Sequence, residues 1–282
     1  MVTIKAYGDF LAEKGLFCIV RLLFTFHFTL STNFMSSTLT KLTHKQLFLT
    51  DCKIKGEEIL IDNKDLLSQV RKVLRLQKGD TFYVQNNGTR YEVEIKDWND
   101  TTLTGTIKKE INTPTLNPWS IRWMVIGMPN KWEKVELVVQ KLTEIWLDEI
   151  IFWPSERSVI KTWNTNKEER LMKIAREAVE QSWGRKLPTI TFTSNIKEKL
   201  QKCDVVVFDK TDNEKRTMDN SIQHSPITIT QPFGLVGPEW WLTDRDYEHL
   251  KWIKYEIREL GTTMLRTETA AIIGWWLIKN TV

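Results

Sequence analysis

Three short stretches of the 282-residue chain hold residue types able to do chemistry. The first is FGLVGPEWWLTDRD (Phe233–Asp246), where an apolar run ends in Gly237-Pro238-Glu239 before a polar segment. Loops at the carboxyl ends of buried strands are where α/β sheets hold ligands. A plain strand-to-helix turn uses the same residues. The second is LGTTMLRTETAA (Leu260–Ala271), in which Arg266 and Glu268 flank Thr267. Taken alone it reads as a capped helix start, with Thr267 as the N-cap and ordinary first-turn charges. The third is PSERS (Pro154–Ser158), followed by Lys161. It presents Glu156 and Arg157 to phosphate or base edges, or simply to water.

Other chemistries lack their residues. No GxGxxG follows the first strand of the C-terminal half, and GxxxxGK[ST] is absent, so no classical nucleotide loop exists. There is no HExxH and no GxSxG, and the four histidines do not cluster. Cys18, Cys52 and Cys203 lie far apart, which argues against a zinc site or a disulfide framework and fits a reducing compartment.

The elements that must position these stretches fall into two groups. Thr81–Gln85 and Arg90–Ile95 alternate apolar and polar residues around Asn86-Asn87-Gly88, a hairpin signal. Leu103–Ile111 is a third strand, and the region up to Asn112 reads as a small antiparallel β-domain. Thr113–Pro118 is a proline-broken linker. Beyond it strands (Ile121–Ile126, Glu149–Trp153, Val205–Phe208, Ile227–Val236, Tyr255–Glu259) alternate with helices (Lys134–Ile145, Lys167–Ser182, one from Thr243, and Thr267–Lys279). Val135, Val138, Val139, Leu142 and Ile145 share a face of the first helix. Leu171, Ile174, Ala175, Ala178 and Val179 share one of the second. The alternation predicts a mostly parallel sheet.

With 41 % hydrophobic and 27 % charged residues and a net charge of +4, the chain can bury a core and carries no basic tail. Leu16–Leu30 is the one long apolar run, at 15 residues and interrupted by Arg21 and His27. It is shorter than the roughly 20 residues a bilayer span needs. A membrane anchor is the alternative to the reading adopted, in which the functional chain starts at Met35.

Together the stretches say more. VLRLQKGD (Val73–Asp80), EKVELVVQKLTE (Glu133–Glu144), SERSV (Ser155–Val159), KIAREAVEQS (Lys173–Ser182), GLVGPE (Gly234–Glu239), LTDRD (Leu242–Asp246) and LRTETAA (Leu265–Ala271) resemble, in this order, the RsmE family of 16S ribosomal RNA uracil-N3 methyltransferases. The resemblance implies an α/β fold with an N-terminal PUA-like β-barrel and a C-terminal SPOUT domain tied in a deep trefoil knot. The corresponding segments are an extension (1–34), the barrel (35–112), a linker (113–119) and the methyltransferase domain (120–282).

It further implies that S-adenosylmethionine is held by Gly237, Glu239, Leu260, Gly261, Leu265 and Arg266, largely through backbone groups. On this reading Arg266 stabilises charge on the uracil carbonyl and Glu268 accepts or orients the N3 proton. Arg71, Lys72, Arg75, Lys78, Glu156 and Arg157 contact RNA. The expected partner is 16S rRNA of the small subunit, met by a cytoplasmic homodimer with Ala270–Ile278 at its interface, without metal or membrane. The competing readings are another SPOUT reaction and a non-catalytic RNA-binding homologue.

The last reading rests on tryptophan. The chain has 13 tryptophans and 12 glycines, where typical usage gives roughly 20 glycines. Trp132, Trp146, Trp183, Trp240 and Trp241 stand where the family pattern has glycine; Trp252 and one of Trp275/Trp276 are weaker cases. Trp240 and Trp241 would crowd the cofactor. The alternative expectation is that a UGA codon, translated as tryptophan, is read as glycine.

Overall fold

The structure, a computed structural model, describes residues 46–112, 122–200, 203–210, 233–239, 241–251 and 253–281. The apolar run Leu16–Leu30, Met35, the linker, residues 227–232, Trp240 and Trp252 lie outside them.

The first sheet contains β1 (Leu47–Leu49), β2 (Lys53–Lys55), β3 (Glu58–Ile61), β4 (Thr81–Asn86), β5 (Thr89–Trp98) and β6 (Leu103–Asn112). The order across it is β1-β4-β5-β6-β3-β2. β1 pairs parallel to β4 and the other pairs are antiparallel. The hairpin turn is as the sequence predicts: Asn87 and Gly88 take φ of +47° and +82°, and Asn86 pairs with Thr89.

The sheet must curl. Its two edge strands, β1 and β2, are separated by residues 50–52 alone, and four Cα steps reach about 14 Å. Six strands laid flat would set the edges about 24 Å apart. The concave side buries Phe48, Ile59, Ile61, Phe82, Val84, Val93, Ile95 and Leu103. α1 (Lys64–Ser68) closes over it with Leu66 and Leu67, its N-cap Asn63 accepting from the Asp65 and Leu66 N–H groups.

The second sheet is wholly parallel, in the order β12-β10-β11-β7-β8-β9. Its strands are β7 (Trp123–Gly127), β8 (Glu149–Trp153), β9 (Thr189–Phe192), β10 (Val205–Phe208), β11 (Phe233–Val236) and β12 (Tyr255–Arg258). On one face Met124, Ile126, Ile150, Phe152, Val206 and Val236 pack under α2 (Trp132–Glu144), α3 (Thr165–Ser182) and α6 (Thr267–Thr281). Alternate residues Trp123, Val125, Ile151, Val205, Val207 and Leu235 face the other way, under α4 (Lys197–Leu200) and α5 (Asp244–Glu248).

The predicted inner faces of α2 and α3 are those observed, except that Ile145 and Ile174 are half-buried. Thr243 caps α5 in a capping box with Asp246. Thr267 does not cap α6. It is the helix's first residue, and the Arg266 carbonyl accepts the first helical bond, from Ala270 N–H (2.8 Å).

α3 also joins the sheets. The edge strand β1 turns the Leu49 N–H and C=O away from β4, and α3 satisfies both. Glu180 Oε1 accepts from Leu49 N–H (2.9 Å), and Arg176 Nη1 donates to Leu49 O (2.6 Å). At the end of α3, Arg90 Nη2 of β5 donates to the Trp183 and Gly184 carbonyls (3.3 Å each).

Burial pushes the Glu180 carboxyl up from its ordinary value near 4.5, outweighing the Leu49 N–H and the Arg176 charge. A raised folded value gives stability that is full below the ordinary value and fades as pH rises through the folded one. Glu180→Gln keeps the acceptor without the charge. Its melting temperature, relative to the unmodified chain, is expected to be level near pH 4 and higher at pH 8.

Candidate functional site

β10, β11 and β12 end side by side, and the segments leaving them enclose a cleft. Its walls come from Phe208–Lys210, from Val236–Glu239 with Trp241, and from Leu260–Leu265 with the start of α6. A Cβ on Gly127 would collide with the Pro238 nitrogen, so the 237–239 loop crosses directly over the end of β7. α6 approaches β10 as closely: a Cβ on Gly274 would come 2.7 Å from the Phe208 ring.

The structure brings together five of the six residues expected to hold cofactor. Gly237, Glu239, Leu260, Gly261 and Leu265 all line this cleft. Arg266 does not; it is exposed beside it. The Thr267 hydroxyl is buried on the cleft side with no hydrogen-bond partner. The cleft is open to solvent, with a cavity volume of about 70 Å³. Trp241 is among the residues that line it.

Behind the cleft lies an ion triad that the sequence did not reveal. Lys134 Nζ of α2 donates to Glu239 Oε1 (2.6 Å) and stands 3.9 Å from Glu268 Oε2. Asn130 N–H, at 3.2 Å from each Glu239 oxygen, completes that carboxylate's shell. The three side chains are largely buried, at 20, 15 and 8 % exposed. Glu268 therefore turns inward and is not part of the cleft wall. Lys134 lies within EKVELVVQKLTE, but its partners are more than 100 residues away and no local spacing connects them.

The PSERS loop is tied to α5. Asp246 Oδ1 accepts from Glu156 N–H (2.8 Å), and the Glu156 carboxylate accepts from Thr243 Oγ1 and from Arg245 Nη1 (3.4 Å). The Thr243 hydroxyl, then Arg245, hold the Glu156 carboxyl below its usual range. Glu156, expected as an RNA contact, is bonded within the protein through its carboxylate while its side chain stays 40 % exposed. Ser155 and Ser158 are buried and share a hydroxyl hydrogen bond (2.9 Å). Lys161 Nζ donates to the Ser155 and Glu156 carbonyls, so these residues shape the loop. Arg157 is exposed at its tip.

Arg71, Lys72, Arg75 and Lys78 are all exposed, on and just after the π-helical turn Gln69–Val73 of the first sheet's domain. Arg71 Nη1 is 3.4 Å from Asp100. Among the described residues no group of side chains is arranged to hold a metal ion, and no helix is long and apolar enough to cross a membrane.

Residues 117–278, the whole second sheet with its helices and cleft, match the RNA methyltransferase domain family. The chain belongs to that family. The RsmE resemblance read from the motifs is borne out. Ribosomal RNA small subunit methyltransferase E of Bacillus subtilis (strain 168) is 28 % identical over 231 residues, covering 78 % of this chain and 86 % of that one. A probable rRNA-methyltransferase from Porphyromonas gingivalis superposes with a TM-score of 0.64 at 21 % identity, over 83 % of this chain and 97 % of its own. Ribosomal RNA small subunit methyltransferase E from Neisseria gonorrhoeae, solved bound to S-adenosyl methionine, gives 0.65 at 18 %, over 84 and 98 %. These likenesses establish the fold across both sheets.

Removing one partner of a buried ion pair strands the others. Lys134→Met leaves two buried carboxylates facing each other and is expected to cost about 3 kcal/mol of stability. Lys134→Arg should cost less than half as much. Equilibrium urea unfolding of both variants measures this.

Proposed function

We propose that this RNA methyltransferase moves a methyl group from S-adenosylmethionine to N3 of an unpaired uracil in 16S ribosomal RNA, in the cytoplasm and as a homodimer. One observation carries the reading. Residues of two loops about 20 positions apart, Gly237 and Glu239 with Leu260, Gly261 and Leu265, line a single cleft at the carboxyl ends of parallel strands.

The residues present fit the cofactor. The unpartnered Thr267 hydroxyl and the backbone of residues 260–265 offer polar groups at the cleft, and Leu260 and Leu265 offer apolar ones. When bound there, S-adenosylmethionine supplies a methyl group activated by its sulfonium. The protein's part is to hold, orient and neutralise. Exposed Arg266, at the start of α6, would draw in the uracil carbonyl and offset the negative charge left as the N3 proton passes to solvent water. Glu268 acts one step removed, by fixing Lys134 and through it Glu239. Glu156 keeps Arg157 and α5 in register, and Arg157 meets the RNA.

N3 lies on the pairing edge of the base, so the target must be unpaired or flipped out. Arg71, Lys72, Arg75 and Lys78 would grip the RNA backbone nearby. The first sheet's curl supports the PUA-like barrel. The chain's return from the edge strand β12 to lay α6 over β7 and β11 supports the knotted crossing. On α6, Ile273 and Trp276 are 38 and 52 % exposed one turn apart, an apolar stripe suited to a second copy.

One observation favours a binding-only protein: the Trp241 indole in the cleft wall. Primer extension separates the readings, because an N3 methyl blocks pairing. Ribosomal RNA from cells lacking the gene is expected to lose one reverse-transcriptase stop, restored by the gene and not by its Arg266→Ala variant. The latter should turn over about 100-fold more slowly. A stop that persists without the gene contradicts the proposal.

A further inference from the structure

We propose that the protein made in its source cell carries glycine at positions 146, 183 and 241, through UGA codons decoded as glycine where the sequence shows tryptophan. The inference stands on backbone geometry and does not depend on the methyl-transfer reading. Trp146, Trp183 and Trp241 have φ of +64°, +55° and +59°. In that left-handed region an L side chain's Cβ crowds the next carbonyl oxygen, so glycine enters freely, asparagine and aspartate sometimes, and a bulky residue rarely. Three of the ten tryptophans among the described residues lie there. For non-glycine residues the usual share is a few per cent. Of the two other non-glycine cases, Asn87 is a tolerant type in a hairpin turn.

Two of the three occupy the same place in the same motif. After α2, Leu147 N–H reaches back to Leu142 O (3.1 Å) and Trp146 N–H to Thr143 O (3.0 Å). After α3, Gly184 N–H reaches Val179 O (2.8 Å), and Trp183 N–H bonds the same carbonyl. These are Schellman-type helix ends, whose left-handed residue is ordinarily glycine. The third closes a turn, Trp241 N–H donating to Pro238 O (3.0 Å).

The core tryptophans stand in contrast. Trp123, Trp153 and Trp275 have ordinary backbones and are 6, 2 and 0 % exposed; Trp275 Nε1 donates to Ile145 O (3.1 Å). Their indoles fill the core. Trp146 and Trp241 hold strained backbones while 40 and 46 % exposed, so little burial offsets the strain. Strain retained for function would explain Trp241 alone, because Trp146 and Trp183 end helices away from the cleft.

Trp132 corrects the wider expectation. It is the first residue of α2, its indole packs against Trp163 (centroids 5.7 Å apart), and its backbone does not call for glycine. The shared cause for the other three is codon reading. UGA differs from the tryptophan codon UGG in one base, and translating it as tryptophan would set an indole wherever the cell inserts glycine. The ratio of 13 tryptophans to 12 glycines is the trace this leaves in composition.

The test is peptide mass spectrometry of the protein purified from its source cells, read beside the gene. Expected are UGA at codons 146, 183 and 241 with peptide masses for glycine, and UGG at codons 123, 153 and 275 with masses for tryptophan. Peptides with intact tryptophan at 146, 183 and 241 would overturn the proposal. The backbone premise has its own readout in recombinant protein. Trp146→Gly and Trp183→Gly should each melt several degrees above the corresponding alanine variants. At Trp132, the first residue of α2, whose φ is not left-handed, the glycine variant should not melt above the alanine variant. Alanine above glycine at positions 146 and 183 would remove the premise, and the proposal with it.

Discussion

A single ammonium group holds the cleft together. Lys134 sits between Glu239 and Glu268, and the three belong to segments that meet only in the folded chain: the helix after β7, the loop after β11 and the final helix. Charges this far from water are tolerated only when paired, so each segment is fixed by the other two. The consequence reaches the cleft wall. Glu239, drawn back to Lys134 and the Asn130 N–H, pins the 237–239 loop across the end of β7. Glu268 lies farther off, 3.9 Å from the same ammonium and with its buried Oε2 without a hydrogen bond, while Arg266 two residues before it is exposed.

The helix ends perform the equivalent task between the two sheets. The α3 backbone reverses at Trp183 and turns its last carbonyls toward Arg90 of β5, while Glu180 and Arg176, one and two turns earlier, satisfy Leu49 on the edge of β1. The exposed basic residues after α1 thus belong to a sheet that is hydrogen-bonded to the helix α3 of the cleft's domain. A left-handed residue at the α3 terminus is a structural requirement of this joint, which is why the identity of residue 183 matters well beyond its own turn.

What was legible in the sequence was what neighbours in the chain decide. The Asn86–Gly88 turn, the alternation of β4 and β5, the apolar faces of α2 and α3, and the Thr243 cap each depend on residues a few positions apart. The motifs extended this to the cleft, whose walls hold five of the six residues expected to bind cofactor. The rest depends on partners brought together by topology. β11 inserts between β10 and β7, and that insertion is what brings Glu239 to Lys134. Glu156 reads as a surface charge until α5, some 90 residues later, supplies Thr243 and Asp246. Thr267 looks like a cap because its type suits one; its hydroxyl is instead left for something in the cleft.

On the proposed function, the cleft at the ends of β10, β11 and β12 binds the cofactor, and Trp241 in its wall restricts it. Isothermal titration with S-adenosylmethionine of the chain as written and of its Trp241→Gly variant tests this most directly. Weak binding is expected of the first, and saturable, at least tenfold tighter binding of the second. Absence of heat from both proteins, each shown to be folded, would contradict it.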